Sequence, residues 1–109
     1  MADKVVVDVL TLDSYQCAAC QYMLEAVSAL PKHIQDMIEY KEWNIKGKEG
    51  IGKFLELKGR VLPTICINRE LVFESIIPTY EELIQELAKR APKEFADALW
   101  KEYQKSVQV

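Results

Sequence analysis

Apolar residues along the chain follow two alternating rhythms, continuous runs and helical spacings. Residues 5–12 form an almost unbroken β-branched and aliphatic run, interrupted at Asp8, which is the pattern of a strand covered on both faces in a mostly parallel sheet. From Cys20 the apolar positions fall at Met23, Leu24, Val27 and Leu30, one face of a helix that Pro31 closes. Residues 37–45 mix β-branched, aromatic and charged side chains, as a strand near a sheet edge does, and the stretch from Gly47 to Gly50 breaks it. Ile51, Phe54 and Leu55 mark a short second helix that stops near Gly59. Residues 61–68, V-L-P-T-I-C-I-N, read as a second buried strand broken early by Pro63. A polar turn at Asn68-Arg69-Glu70 leads to its hairpin partner over residues 71–75. Thr79 opens T-Y-E-E, a capping box in which the Thr79 hydroxyl and the Glu82 carboxylate each accept the other's backbone N–H. Leu83, Ile84 and Leu87 give that helix its buried stripe, and Ala91-Pro92 ends it. A last amphipathic helix runs over about residues 93–108 through Phe95, Leu99, Trp100 and Tyr103. Its stripe is expected to pack on the domain, with dimerisation or docking of a partner as the alternative use. The order β-α-β-α-β-β-α with an extra C-terminal helix predicts an α/β fold.

A chain of 109 residues, half of them apolar, suffices for one core, so residues 1–109 are expected to form a single domain with its core over about 5–91. The net charge is -3 and lysines alternate with glutamates, which leaves no basic face to follow a phosphate backbone and excludes nucleic acid as the expected partner. The start, M-A-D-K-V-V-V-D-V-L, carries an acid inside its short apolar run and no small-residue cleavage site, so it does not read as a signal peptide. No apolar run approaches the roughly 20 residues that a membrane helix needs. A soluble, cytoplasmic protein with no membrane partner is expected.

Three cysteines, Cys17, Cys20 and Cys66, are an odd number, and in a reducing compartment they argue against a disulfide framework and for redox or metal chemistry. Cys17 and Cys20 form C-A-A-C between the first strand and the first helix. A thiol attacks a disulfide only as thiolate, and a helix N-terminus supplies free N–H groups and partial positive charge that favour the anion. Two intervening residues put the second thiol one turn inward, in reach of a mixed disulfide on the first. A zinc or copper module is the rival reading. It needs two further ligands, for which the chain offers Cys66 and His33, or a second copy's pair. A third reading is a redox-inert interaction domain acting through the C-terminal helix. His33, just after Pro31, reads as a solvated loop residue, and Cys66 as a small core residue in its strand. Pro63 stands near the start of a central strand, where proline is normally excluded. A cis Leu62-Pro63 bond would turn the strand's beginning toward the helix and leave the backbone of Leu62 to pair with an extended substrate.

The order of elements, C-A-A-C at the first helix and V-L-P-T-I-C-I-N beyond it resemble the thioredoxin-like superfamily, particularly its small glutaredoxin-like members, over about residues 5–91. The resemblance implies a thiol-disulfide oxidoreductase with Cys17 as nucleophile, Cys20 as resolving thiol, and Pro63, followed by Thr64, as the proline facing them. It implies a redox-active Cys17–Cys20 disulfide in place of a cofactor, a protein disulfide as substrate, an upstream reductase as partner, and no metal. Leu62, Pro63, Thr64 and Tyr15 are the candidate substrate contacts. Tyr15-Gln16 stands before the pair where thioredoxins carry a tryptophan, and Ala18-Ala19 replaces Gly-Pro or Pro-Tyr. The Gly-Gly and aspartate segment of glutaredoxins is replaced by E-S-I-I-P, residues 74–78, so glutathione recognition is not implied. Thioredoxins also keep a buried acid on the central strand for the resolving thiol's proton, for which Asp8 and Asp13 are the candidates here.

Overall fold

The protein is described by a computed structural model over residues 4–12 and 17–107, with 106 and 107 as backbone only. Its elements run β1 (Val5–Thr11), α1 (Ala18–Ser28), α2 (Lys32–Gln35), β2 (Ile38–Asn44), α3 (Lys48–Glu56), β3 (Thr64–Ile67), β4 (Glu70–Glu74), α4 (Tyr80–Arg90) and α5 (Lys93–Val107). The strands form one sheet in the order β2-β1-β3-β4, which makes this an α/β fold. β1 pairs with β2 in parallel, Val5 opposite Ile38, and with β3 antiparallel, Leu10 opposite Thr64. β3 and β4 are antiparallel. The expectation of a mostly parallel sheet is therefore corrected. The run over β1 records coverage on both faces, which a mixed sheet provides equally well. Residues 57–63 carry the chain back to the end of the sheet where β1 finishes, so β3 must run against β1.

The two faces of β1 enter two cores. Val5, Val7 and Val9 join Met23 and Val27 of α1, Ile34 of α2, Leu83 and Leu87 of α4 and Leu99 of α5. Leu10 instead meets Leu57 and Cys66, with Trp43 and Phe54 packed against them beneath α3. Each fully buried aliphatic side chain contributes about 1.5–3 kcal/mol of transfer free energy. A bulge lies between the pairs Ile65–Phe73 and Cys66–Leu71, so Val72 has no opposite residue. Its consequence is that Leu71 serves the α3 side while Val72 and Phe73 both serve the other. The hairpin closes through Asn68 and Arg69, both at positive φ (49° and 72°), as a two-residue turn that matches strand twist requires.

Two elements depart from the sequence reading. The stretch around His33 is a one-turn helix rather than a loop: Ile34 is buried, and Gln35 donates through Nε2 to the carbonyls of Ser28 (2.7 Å) and Leu30 (2.8 Å), satisfying the end of α1. His33 remains exposed, with Nδ1 2.7 Å from Oε1 of Glu102 on α5. The stretch from Gly47 to Gly50 does not only break β2; it begins α3, with Gly47 as its N-cap. Gly50 is required there, because a Cβ would sit 1.8 Å from the Asn44 carbonyl oxygen. α5 shares the main core through Leu99, and Tyr103 meets Tyr80 of α4 at 5.0 Å between ring centroids. Among the described residues, no helix is long and apolar enough to cross a membrane.

Candidate active site

α1 begins with a sulfur as its cap. Cys17 is extended (φ -111°, ψ 107°), its carbonyl accepts the Gln21 N–H at 3.0 Å, and its Sγ accepts the Cys20 N–H at 3.2 Å. The side chain thus occupies the position that a serine or aspartate oxygen usually fills. Cys17 is half-buried and flanked by exposed Ala18 and Ala19. One turn on, Cys20 is fully buried, and its Sγ accepts the N–H of Leu12 at 3.4 Å, just past the end of β1. Neither is joined in a disulfide. The first turn of α1 contains no acidic residue.

β3 reaches the same end of the sheet. Extending the β1–β3 register one step beyond Leu10–Thr64 sets Pro63 opposite Thr11. The Leu62-Pro63 peptide is cis, and Pro63 is buried with its carbonyl accepting the Ser75 N–H at 2.8 Å. Thr64 is fully buried, and its hydroxyl donates to the Val61 carbonyl at 2.9 Å, bracing the turn that carries Leu62. Leu62 is half-buried, and among the described residues its backbone N–H and C=O take part in no hydrogen bond. Arg60 clamps Glu74 through two hydrogen bonds (2.9 and 2.6 Å), which holds the Glu74 carboxyl below the usual carboxylate range. Cys17, Cys20, Pro63 and Thr64 therefore gather at one end of the sheet. Tyr15 and Asp13 lie outside the described residues.

Two candidates of the sequence are placed elsewhere. Asp8 alternates to the α3 face of β1, where its Oδ1 accepts the Trp43 indole N–H at 2.8 Å, so it does not face Cys20. Cys66 sits beside it in register, fully buried. Desolvation, then the charges of Asp8 and Glu74, push the Cys66 thiol up to about 12, as befits a core residue rather than a nucleophile. The sequence reading missed a different pair. The fully buried Thr11 donates its hydroxyl to Oε2 of Glu42 at 2.6 Å, beside the Leu12 amide that touches Cys20. Only the parallel pairing of β1 with β2 brings residues 11 and 42 together, and a hydroxyl at the last position of a buried strand is its sole trace in the sequence. Among the described residues, no group of three or more His, Cys, Asp or Glu side chains is arranged to hold a metal ion. Comparison with protein-family models, curated proteins and solved structures gave no significant match to this chain.

Proposed function

We propose that this chain is a thiol-disulfide oxidoreductase of thioredoxin-like fold, which reduces disulfides of a protein partner through Cys17 and Cys20. Support comes first from the helix start: a half-buried cysteine at the N-cap and a buried one a turn inward, each sulfur accepting a backbone N–H. The thiolate, not the thiol, is the nucleophile in disulfide exchange. The strand order, with a parallel β1–β2 pair beside an antiparallel β3–β4 hairpin, agrees with the fold.

The Cys17 thiolate attacks one sulfur of the target disulfide, forming a mixed disulfide and expelling the other target sulfur as a thiolate, which takes up a proton. Cys20 then loses its proton and attacks the Cys17 sulfur. The Cys17–Cys20 bond forms, the bond to the target breaks, and the second target thiolate leaves. Two electrons pass from the chain to the target, and an upstream dithiol reductase returns them. The Leu62 backbone pairs with the extended target strand. Exposed Leu12, Val61, Ile76 and Ile77 border the same end of the sheet and suit an apolar protein flank. A reducing compartment such as the cytoplasm keeps the pair in the dithiol state between turnovers. Trapping tests the reading: Cys20→Ser is expected to hold a stoichiometric mixed disulfide at Cys17 with a model disulfide peptide. Absence of any adduct on Cys17 contradicts it.

A further inference from the structure

The sheet has two outer strands, β2 and β4, and only one of them is blunted. In β4, Val72 bulges out of the ladder and Ser75 follows at positive φ (64°). Glu70 and Glu74 at its two ends are held by Arg90 (2.7 Å) and Arg60 (2.6 Å). β2 carries none of these devices. Its seven residues pair with β1 in one unbroken register, from Val5–Ile38 to Thr11–Asn44. Among the described residues, no strand lies on its other side.

The ladder determines what that open side offers. The Val5 N–H donates to the Met37 carbonyl at 3.1 Å and the Ile45 N–H to the Thr11 carbonyl at 2.8 Å, so the odd-numbered residues of β2 turn their backbone groups toward β1. The N–H and C=O groups of Ile38, Tyr40 and Glu42 alternate to the open side. Among the described residues, no turn or side chain takes them up. Glu39, Tyr40 and Lys41 are exposed. Glu39 forms no ion pair with a described residue, and Lys41 rests its ammonium on the Trp43 ring, 4.2 Å from the centroid, with no carboxylate beside it among them.

We propose that this edge pairs antiparallel with the β2 edge of a second copy of the chain, with Tyr40 opposite the partner's Tyr40. The outward groups of Ile38, Tyr40 and Glu42 then meet those of the partner's Glu42, Tyr40 and Ile38 as hydrogen-bonded pairs. Between them lie the non-hydrogen-bonded pairs, where side chains approach most closely, and these set Glu39 against the partner's Lys41 and Lys41 against the partner's Glu39. Neighbouring symmetric registers lose that match. Centring the pair on Glu39, Lys41 or Glu42 puts each of those charges directly opposite its own copy, which is destabilising. Charged side chains ordinarily keep an edge strand solitary, but the order Glu39-Tyr40-Lys41 is its own complement when reversed. A two-fold axis closes the assembly, and two four-stranded sheets become one. The Cys17 ends of the two chains then lie at opposite ends of the joined sheet, so the pairing neither needs nor blocks the exchange reaction proposed above.

Sedimentation equilibrium of the full chain in excess reductant, from about 10 μM to about 1 mM, spans the association expected of an interface this small. Reversible monomer–dimer behaviour is the expected result. Amide hydrogen exchange locates the contact: Ile38, Tyr40 and Glu42 are expected to gain protection in the concentrated sample, whereas Glu39 and Lys41, already bonded to β1, are not. Glu39→Lys is expected to weaken the dimer at least about tenfold, and Glu39→Lys combined with Lys41→Glu to restore it to within about threefold of wild type. Both positions are exposed, so neither change burdens the core. A chain that stays monomeric up to about 1 mM overturns the proposal and leaves Glu39 and Lys41 as charges that blunt the edge. A dimer that Glu39→Lys leaves unchanged, that the double variant does not restore, or whose protection falls outside β2 overturns it equally.

Discussion

α1 and α4 are both 11 residues long and both bury one stripe, Cys20, Met23 and Val27 in one and Leu83, Ile84 and Leu87 in the other, but they begin differently. At α4, the Thr79 hydroxyl accepts the Glu82 N–H at 3.1 Å and Glu82 accepts the Thr79 N–H at 2.9 Å. Glu81 and Glu82 lie on its positive end, and Lys89 and Arg90 on its negative end. α1 has none of these charges, and its cap is a sulfur. Thiol sulfur is a weak acceptor, so α1 leaves unrealised most of the stabilisation that α4 obtains. What it keeps is a positive helix end available to an anion. Under the proposed function, one helix start serves stability and the other serves chemistry at the cap.

The sharpest way to break this contrast is Cys17→Ser. Exchange activity is expected to fall by more than about a hundredfold, because serine is no match for a thiolate as nucleophile. Stability in urea is expected to hold or rise by up to about 1 kcal/mol, since serine is the better cap. Loss of the fold together with the activity would make Cys17 a structural cap only. A second test uses Cys66, the thiol that faces carboxylates rather than a helix start. Its folded value is about 12 against an ordinary 9.0, so the native state retains the proton as pH rises and stability is lost from about pH 9 upward. Wild type is expected to lose about 2 kcal/mol more than Cys66→Ala between pH 8 and pH 10.5. Parallel slopes for the two proteins would mean that the buried thiol is not strained toward its neutral form.

Next in size, Thr79→Ala is expected to cost about 1 kcal/mol in denaturant unfolding while leaving the exchange rate unchanged, which confines the role of that cap to folding. The smallest effect tests the field itself. Ala19→Glu places an acid in the first turn of α1 at an exposed position. Alkylation of Cys17 is expected to slow about two- to fivefold at low ionic strength, and the effect to shrink with added salt. An unchanged rate would show that the helix end does not act on the sulfur.

Most of what was legible in the sequence is local. The C-A-A-C pair at the strand–helix junction, the Thr79 box and the helix stripes are all encoded within a few residues, and each appears where its spacing puts it. What was not legible depends on contacts between distant segments. The direction of β3 is set by how residues 57–63 return, not by the apolar run itself. The side on which Asp8 lies follows from which neighbours cover β1, and the Thr11–Glu42 bond needs the register of β1 against β2. The one-turn α2 is too short to show a period, and its stability comes from Ile34 and the reach of Gln35 back to α1. Gly50 reads as a breaker in isolation and becomes a requirement for close approach once Asn44 lies beneath it.

The most direct measurement is the redox equilibrium of the three thiols. The protein is equilibrated anaerobically across a graded dithiol/disulfide buffer, quenched in acid, alkylated and weighed at each cysteine. The expected result is a reversible two-electron transition confined to Cys17 and Cys20, with Cys66 carrying the label of a reduced thiol throughout. If no internal disulfide forms at any poise, or if Cys66 takes part in it, the pair at the start of α1 is not a redox couple and the central claim fails.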